Sequence, residues 1–434
     1  MRQSTIRRAT AALAVSGIAL TVTACGGGAQ PGGASGDGLS AWALTGGAEP
    51  TFRESFESWN DSDPDQSIDS QFFANDAYKE KIRTAVGSGN APTLVFGWGG
   101  GALQDYVDND AVVDLSSKTE ELQGRLLPSV LETGTIDGKV YAVPNNNAQP
   151  IVLYTNKSVL DSAGIDAAPA TFEELLDDVA ALQGAGVKTP IALAGASQWP
   201  ELMWIEYLAD RVGGPETFQA VVDGEPGAWS SPEMIEALGM VGELVDAGAF
   251  GDSFGSVVAD ASADAALVHT GRAGMLLQGA WVYSTFLNDS PDFVASGDLG
   301  FAGFPAVEGG KGDPAAIVGN PANFWSVSAD ASPEAQQAAI DYLNSGMYDD
   351  SYVESLVVNG GVPVTEGAEA AIDGSDQADF LNFAYDMVQE APSFQLSWDQ
   401  ALSPAASQQL LTSLSQLFLG QISPEEFAQA MEQA

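Results

Sequence analysis

Five of the nine tryptophans stand at the end of a segment, beside a small or polar residue, where an indole ring could face a ligand. These five are Trp98, Trp199, Trp204, Trp281 and Trp398. Trp98 is the most unusual, because it lies within a glycine-rich segment, residues 97–101, that follows an apolar stretch at residues 93–96. Glycines after a strand let the backbone approach a ligand closely and leave a neighbouring ring exposed. The alternative for Trp98 is a tight turn with its ring folded back onto the core.

The polar residues that accompany these tryptophans are mostly amides, such as the run Asn145, Asn146 and Asn147 and the pair Asn320 and Asn323. A flat aromatic face suits the C–H face of a pyranose, while Asn, Asp and Gln exchange hydrogen bonds with its hydroxyls. The sequence therefore predicts a site for a neutral sugar. The expected ligand-binding residues are Asn75, Trp98, Asn147, Trp199, Trp204, Trp281, Asn323, Trp398 and Asp399.

Catalytic and metal-binding motifs are weak in this chain. Its one histidine, His269, has no cysteine partners for a zinc site, and the G-x-S-x-G nucleophile motif is missing. Among 59 acidic residues a pair suited to glycoside hydrolysis stays open, although no pair stands out. Asp61, Asp63 and Asp65 alternate as in a calcium loop but lack its glycine and distal glutamate. We therefore expect no catalytic residue, no metal and no cofactor.

The charge balance is strongly acidic, with 15 basic residues and a formal net charge of −44. Such a surface repels nucleic acid and anionic lipid and disfavours polyanionic ligands. The acidic residues are scattered rather than clustered, which is typical of a solvated surface. Nucleic acid is therefore excluded as a partner, and an anionic solute is disfavoured.

The first 24 residues have the form of an export signal, with a basic start and an apolar run at residues 11–22. Cys25, the only cysteine, follows Ala24 directly, and this arrangement is similar to the lipobox of a bacterial lipoprotein precursor. Residues 25–38 are rich in glycine and predict a flexible linker with a reach of roughly 20 Å. We expect lipidated Cys25 to anchor the protein at the extracellular face of the cell membrane. The alternative is an ordinary secretory signal with an incidental cysteine.

From residue 39 onward, short strand-like runs alternate with helical ones, which predicts an α/β protein with helices covering mostly parallel sheets. Thr171 and Glu174 predict a capping box, and Ser231, Ser332 and Ser423 each precede a proline as expected of helix N-caps. Ser423 also has a glutamate three residues later, which predicts a second capping box. The predicted strands are residues 40–44, 93–96, 151–154, 191–193, 273–277 and 324–327.

A set of short motifs, in a fixed order, resembles the extracellular sugar-binding lipoproteins of bacterial ABC importers, the family that includes maltose-binding protein. The resemblance covers essentially the whole chain after the leader. In the segment G-N-A-P-T at 89–93, Thr93 stands where the family usually has an aspartate. Its motifs are D-G-K-V-Y-A-V-P at 137–144, L-Y-T-N-K at 153–157, T-F-E-E-L at 171–175, G-R-A-G-M at 271–275, G-A-W at 279–281 and G-V-P at 361–363.

The resemblance implies the type II periplasmic-binding-protein fold, in which two α/β lobes enclose a ligand cleft. By position, the N-terminal lobe comprises residues 39–147 and 322–366, and the C-terminal lobe comprises 148–321 and 367–434. The chain is expected to cross between the lobes three times. These crossovers fall near residues 147–151, near 318–323 and after Pro363.

The resemblance also implies a function. Trp98, Trp281 and Trp398 stand where the family stacks indoles on sugar, and W-G-G-G is similar to actinobacterial binders of xylobiose. The expected protein is a monomeric, non-catalytic receptor that captures a neutral di- or oligosaccharide and delivers it to ABC transporter permease subunits. One alternative keeps the fold and binds another solute, such as a peptide, a polyol or an amino sugar. The other alternative is a lipid-anchored secreted glycoside hydrolase.

Overall fold

The computed structural model describes residues 38–433, so the predicted leader, Cys25 and nearly all of the linker lie outside the described residues. All six predicted strands are confirmed to within two residues at each end. The strands are β1 Ser40–Leu44, β2 Asp69–Phe73, β3 Leu94–Gly97, β4 Thr135–Ile136, β5 Lys139–Val140, β6 Val143–Pro144, β7 Gln149–Asn156, β8 Ile191–Ala192, β9 Met275–Gly279, β10 Leu299–Ala302, β11 Ile317–Asn320, β12 Phe324–Val327 and β13 Phe394–Leu396.

Helices connect and cover these strands. None of those in the described part of the chain is long and apolar enough to span a membrane. The helices are α1 Glu49–Ser62, α2 Asn75–Gly87, α3 Gly100–Asp108, α4 Glu120–Gln123, α5 Pro128–Glu132, α6 Lys157–Ser162, α7 Phe172–Gly184, α8 Trp199–Gly213, α9 Glu216–Val222, α10 Pro232–Asp246, α11 Ala263–His269, α12 Val282–Asp289, α13 Pro291–Ala295, α14 Pro333–Ser345, α15 Asp350–Val358, α16 Glu369–Asp373, α17 Ala378–Glu390, α18 Trp398–Ala401, α19 Pro404–Phe418 and α20 Pro424–Met431.

The strands form two larger sheets, and each sheet defines one lobe. The first lobe is built on the order β2-β1-β3-β12-β6, and the second on β13-β11-β7-β9-β8, with β10 also paired to β7. Both sheets are mixed, so the prediction of mostly parallel sheets is wrong. Strand β12 runs antiparallel to β3 and β6, and β7 runs antiparallel to β9, β10 and β11. Strands β7 and β12 each follow a passage from the other lobe, so they enter their sheets against the direction of their neighbours.

The chain passes between the two sheets at three places. Residues 145–148 join β6 to β7, residues 321–323 join β11 to β12, and the segment after Pro363 leads through α16 and α17 to β13. The exact bounds of the lobes, including where α16 and α17 belong, stay a prediction. The crossovers lie side by side, since Asn146 hydrogen-bonds to Asn323 and the backbone of Ala148 pairs with that of Val362.

Local capping explains where several helices begin. The hydroxyls of Ser231, Ser332 and Ser423 accept hydrogen bonds from backbone N–H groups three residues later, and Ser423 with Glu426 completes the predicted capping box. Thr171 caps α7 in the same way. The Glu174 carboxylate, however, accepts from the N–H of Ala170 rather than from Thr171, so the capping box predicted at 171–174 forms only in part.

Strand β7 shows why the second sheet is buried on both faces. All eight of its residues are buried, and successive side chains point to opposite faces of a sheet. Ile151 and Leu153 belong to the apolar cluster that includes α8, α10 and α19, whereas Val152 and Tyr154 belong to the cluster under α12 and α17. Helices on both faces hold this sheet firmly, so residues at its ends have fixed positions at the edge that faces the first lobe.

Candidate ligand cleft

A cleft of about 350 Å³ lies between the two lobes, in front of the crossovers. Its volume falls within the range of about 300–1,000 Å³ that is usual for small-molecule sites. The walls are formed by the ends of strands and the first residues of helices from both lobes. Ligands bind at such positions in open α/β folds. The polar and aromatic lining includes Asn75, Lys79, Trp98, Asn146, Gln149, Trp199, Asp260, Asp264, Gln278, Trp281, Asn320, Asn323 and Asp399.

Three of the predicted tryptophans line this cleft, one on the first lobe and two on the second. Trp98 follows β3, and its ring packs edge-on against Phe96 with the ring centroids 5.7 Å apart. Trp199 begins α8 and lies 6.1 Å from Trp281, with an angle of 48° between the ring planes. All three indoles are half-buried. Each therefore keeps part of its ring surface toward the cleft, while the rest is fixed by protein contacts.

Trp281 holds its place because of the glycine two residues before it. The indole folds back over Gly279 at the end of β9, so that a Cβ at position 279 would overlap the ring. Trp281 also borders a second, small cavity of about 10 Å³ between Gly47 and Gly361 on the side of the crossovers. The ring thus lies between the cleft and this small cavity.

The back of the cleft is a network of buried amides from the crossovers. The Oδ1 of Asn323 accepts hydrogen bonds from Asn146 Nδ2 at 2.7 Å and from Gln149 Nε2 at 2.9 Å. The backbone N–H of Asn323 donates to Asn146 Oδ1 at 2.8 Å. Asn320, on the same passage, has a buried Oδ1 with no hydrogen-bond partner among the described residues. An unpaired buried acceptor is costly unless something donates to it, and Asn320 also lines the cleft.

Two aspartates of the second lobe, Asp260 and Asp264, stand in the wall of the cleft. Asp264 accepts from Gln278 Nε2 at 3.0 Å and from the backbone N–H of Ala265 at 2.9 Å. Burial raises the pKa of Asp264, and partial burial raises the pKa of Asp260. The side chains of Asp264 and Gln278 are buried and held by each other, so their remaining acceptor and donor positions have fixed directions.

Among the residues that the structure describes, the one cation in the wall of the cleft is Lys79, on α2 of the first lobe. Its Nζ lies 3.0 Å from Oδ2 of Asp399, on α18 of the second lobe, and 5.1 Å from the ring centroid of Trp98. The carboxylate of Asp399 is only 6% exposed. The ammonium of Lys79 is therefore already paired, and residues 38–433 place no unpaired cation in the cleft for an anionic ligand.

Six of the nine predicted site residues line the cleft: Asn75, Trp98, Trp199, Trp281, Asn323 and Asp399. The predictions for Trp204 and Trp398 as ligand-stacking residues are wrong, because both side chains are fully buried. Trp204 packs edge-on against Phe250 and Phe304 in the core of the second lobe. Trp398 stacks on Phe218 at 4.4 Å and 4°, which leaves no ring face for a ligand.

Asn147 is also outside the cleft. Its Nδ2 donates to the carbonyl of Ala148 at 3.1 Å, and its side chain lines the small cavity next to Gly361. Adjacent residues of an extended segment point to opposite sides. Because Asn146 faces the cleft, Asn147 faces away from it, and the prediction for Asn147 as a residue of the cleft is wrong by one position.

The glycines after Trp98 approach protein rather than an open site. A Cβ on Gly99 would overlap Thr133, and one on Gly101 would overlap the carbonyl oxygen of Leu402 in the second lobe. Of the two interpretations of Trp98, the structure supports the ring at the end of a strand, facing the cleft. The glycines themselves allow helix α3 to lie against α18.

Several residues of the cleft were missed by the sequence analysis: Lys79, Gln149, Asp260, Asp264 and Gln278. Gln278 directly precedes the G-A-W motif at the end of a strand, a signal that could have identified it. Asp260 and Asp264 lie in an acidic stretch without a distinctive pattern. In the part of the chain that the structure describes, no three His, Cys, Asp or Glu side chains group as they would around a metal ion, and His269 does not line the cleft.

Comparison with known proteins identifies the class to which this fold and cleft belong. The family model described as bacterial extracellular solute-binding protein matches residues 43–346. The chain belongs to this family. It is 24% identical over 408 residues to the xylose/arabinose-binding protein XacG of Haloferax volcanii, covering 91% of this chain and 83% of XacG. It is 22% identical to the diacetylchitobiose binding protein DasA of Streptomyces coelicolor, covering 86% and 85% of the two chains.

A similar solved structure comes from work on xylan utilization by the thermophilic bacterium Caldanaerobius polysaccharolyticus. The TM-score is 0.81 at 29% sequence identity, and the match covers 91% of this chain and 99% of that one. The architecture is the two-lobed type II fold of the maltose-binding-protein kind, as expected from the sequence.

Proposed function

We propose that this chain is the sugar receptor of an ABC importer, which captures a neutral di- or oligosaccharide and delivers it to membrane permease subunits. The proposed ligand is xylobiose or a related xylo-oligosaccharide. The observation that carries the proposal is the placement of three indoles, Trp98, Trp199 and Trp281, on both walls of one interlobe cleft. Aromatic faces on opposite walls suit a ligand with C–H faces on both sides.

The polar inventory of the cleft supports a neutral ligand. The amides of Asn75, Asn146 and Gln278 and the free acceptor of Asn320 match the donors and acceptors of sugar hydroxyls. Lys79 is paired with Asp399, and three carboxylates border the cleft. An anionic sugar such as a uronate would face these carboxylates, and the described part of the chain has no unpaired cation in the cleft to offset the repulsion.

Capture is proposed to follow the closure of two lobes around the crossovers. Each lobe contributes at least one indole and one polar side chain, so a sugar contacts both walls only when the lobes approach each other. Binding shifts the lobes toward the closed form because the sugar has more contacts in that form than in the open one. The permeases would then recognise the closed receptor, and no residue of the cleft needs to do chemistry.

The relatives support a sugar as the ligand and a pentose polymer as its source. XacG is named for xylose and arabinose, and the similar solved structure comes from work on xylan. DasA is named for diacetylchitobiose, which keeps an amino sugar as the alternative ligand for the same fold. The two ligands differ in their acetamido groups, so a direct binding comparison separates them.

The proposal includes attachment to the cell surface. Cys25 would carry a lipid at the extracellular face of the membrane, and the linker up to residue 38 would hold the monomeric receptor near its permeases. Mass spectrometry of protein prepared from native membranes tests this point. An unmodified Cys25, or an N-terminus at another residue, would remove the anchor and leave the receptor function in place.

Calorimetric titration with xylobiose, xylotriose, cellobiose, maltose and diacetylchitobiose tests the ligand. We expect saturable binding of the xylo-oligosaccharides and a loss of about 1–3 kcal/mol in Trp281→Ala. Trp59→Ala is the matched control, because Trp59 is a half-buried tryptophan that does not line the cleft. Unchanged affinity in a folded Trp281→Ala protein would contradict the stacking role. Turnover of xylo-oligosaccharides on prolonged incubation would favour the glycoside hydrolase instead.

A further inference from the structure

One short segment of the second lobe, residues 399–402, lies directly against two helices of the first lobe. Its first residue, Asp399, pairs with Lys79 of α2 at 3.0 Å. The same carboxylate accepts from Ser397 Oγ at 3.2 Å and from Gln400 Nε2 at 2.9 Å. In this arrangement of the lobes, protein donors therefore occupy both oxygens of Asp399.

The rest of the segment contacts the start of α3, where the glycines after Trp98 stand. A Cβ on Gly100 would lie 2.6 Å from the carbonyl oxygen of Gln400, and a Cβ on Gly101 would overlap the carbonyl of Leu402. Real Cβ atoms do not approach backbone oxygens so closely. The two lobes can adopt the arrangement seen here only because this part of α3 has no side chains.

A separate contact joins the lobes at the first turn of α2. The backbone N–H of Asp76 donates to Oδ2 of Asp260 at 2.9 Å, and Asp260 lies in the 3-10 turn Ala259–Ala261 of the second lobe. The early N–H groups of a helix lack partners within the helix and attract negative charge. Helix α2 is therefore held by carboxylates of the second lobe at Asp76 and again one turn later at Lys79.

We propose that Asp399–Leu402, docked on Lys79 and on Gly100–Gly101, is an interlobe latch that stabilises the closed receptor. The proposal rests on the proposed function only in taking lobe closure as the act of capture. Lys79, Gly101 and Asp399 are positioning residues, which set how strongly the lobes close. The W-G-G-G run then has two roles. Trp98 faces the cleft, and Gly100 and Gly101 allow the backbone of the second lobe to pack closely against α3.

The sharpest test is Gly101→Ala in the full chain. Alanine favours a helix over glycine, so the new methyl group leaves α3 intact and obstructs only the approach of Leu402. We expect the dissociation constant for xylobiose to rise about tenfold or more, with no fall in Tm. Small-angle X-ray scattering should give a larger radius of gyration than the wild type at the same xylobiose concentration. Gly239→Ala is the control, because Gly239 lies in α10 with open space around a Cβ.

Lys79→Met tests the ionic part of the latch. We expect a roughly three- to tenfold rise in the dissociation constant. Added salt should weaken binding by the wild type and have less effect on the variant. Lys311→Met removes a lysine that pairs with Glu233 inside the second lobe and should leave the affinity unchanged. A double-mutant cycle with Asp399→Asn should show that the effects at positions 79 and 399 are not additive.

The outcomes separate the latch from the proposed ligand. If Gly101→Ala lowers Tm while xylobiose affinity and scattering match the wild type, the contact is static packing and the latch is wrong. Equal affinity and equal scattering in Lys79→Met and the wild type would also overturn the ionic contact. If the wild type binds no xylobiose, the proposed ligand is wrong, and the latch is then decided by scattering of the sugar-free variants at low and high salt.

Discussion

The indole of Trp281 rests on the bare backbone of Gly279, with only Ala280 between them in sequence. Strand β9 ends at this glycine, and the ring turns back over the strand end instead of pointing into solvent. The contact fixes the orientation of one wall of the cleft. The backbone of Gly279, which has no side chain, therefore provides a flat surface on which the indole packs.

We expect Gly279→Ala to displace the Trp281 ring and to weaken xylobiose binding about tenfold or more, because the added methyl group occupies the place of the indole. Calorimetry measures the affinity, and the tryptophan emission spectrum reports the altered surroundings of the ring. Gly303→Ala provides the control, since a Cβ at this exposed position meets open space. Wild-type affinity in a folded Gly279→Ala protein would show that the position of the ring is not decisive.

Trp204→Ala should have the opposite profile, a large loss of stability with little change in binding. Trp204 is fully buried between Phe250 and Phe304, and removal of such a side chain costs about 3–5 kcal/mol. Urea unfolding measures the loss, and calorimetry at a temperature where the variant stays folded measures the affinity. Trp199→Ala is the matched comparison, because Trp199 lines the cleft and should lose affinity rather than stability. A reversed pattern would contradict both placements.

Glu201 should make the protein less stable as the pH rises. Burial raises the pKa of Glu201 to about 8, far above its value of 4.5 in an unfolded chain. Between these two values the folded state holds a proton that the unfolded state has released, so stability falls from about pH 4.5 to pH 8 and then levels off. We expect Glu201→Gln to exceed the wild type in stability by about 2 kcal/mol or more at pH 8.5 and by much less at pH 5.

Denaturant unfolding at both pH values checks the prediction for Glu201, with the exposed Glu236→Gln as a control that should behave as the wild type does. The carboxylate of Glu201 has no hydrogen-bond partner among the described residues. The substitution therefore removes a buried ionisable group without breaking a contact. Equal pH dependence in Glu201→Gln and the wild type would contradict the raised pKa.

Asn323→Ala should weaken the crossovers. Loss of its Oδ1 leaves the buried amide donors of Asn146 and Gln149 unpaired, at a cost of about 1–3 kcal/mol. Urea unfolding gives the change in the free energy of unfolding, and exposed Asn288→Ala is the control. A change below about 0.5 kcal/mol would mean that these amides find other partners easily.

Local signals in the sequence predicted the parts of the fold that local interactions decide. The N-caps at Ser231, Ser332 and Ser423 depend on a hydroxyl and an N–H three residues away. The strands were recognisable because buried strands need apolar residues in a short run. Trp98 and Trp281 line the cleft, and each stands within two residues of the end of such a strand.

The sequence patterns do not predict interactions between segments that are far apart in the chain. Trp398 looked like Trp98 in its local setting, yet Phe218, from a helix far away in the chain, covers its ring. Glu206 of α8 holds the same segment by accepting from the N–H of Trp398 at 2.7 Å. The directions of β7 and β12 likewise depend on which lobe the chain has just left. None of these partners is identifiable from neighbouring residues.

The pairing of β3 with β12 has a consequence for how the chain acquires its structure. The strand that completes the centre of the first sheet is made about 230 residues after its neighbour, once most of the second lobe already exists. Until then, β3 has a bare edge, which is prone to pairing with other chains. We expect that a nascent or newly secreted polypeptide ending before residue 324 cannot complete the fold of either lobe. The two lobes therefore reach their folded state together, late in the synthesis of the chain.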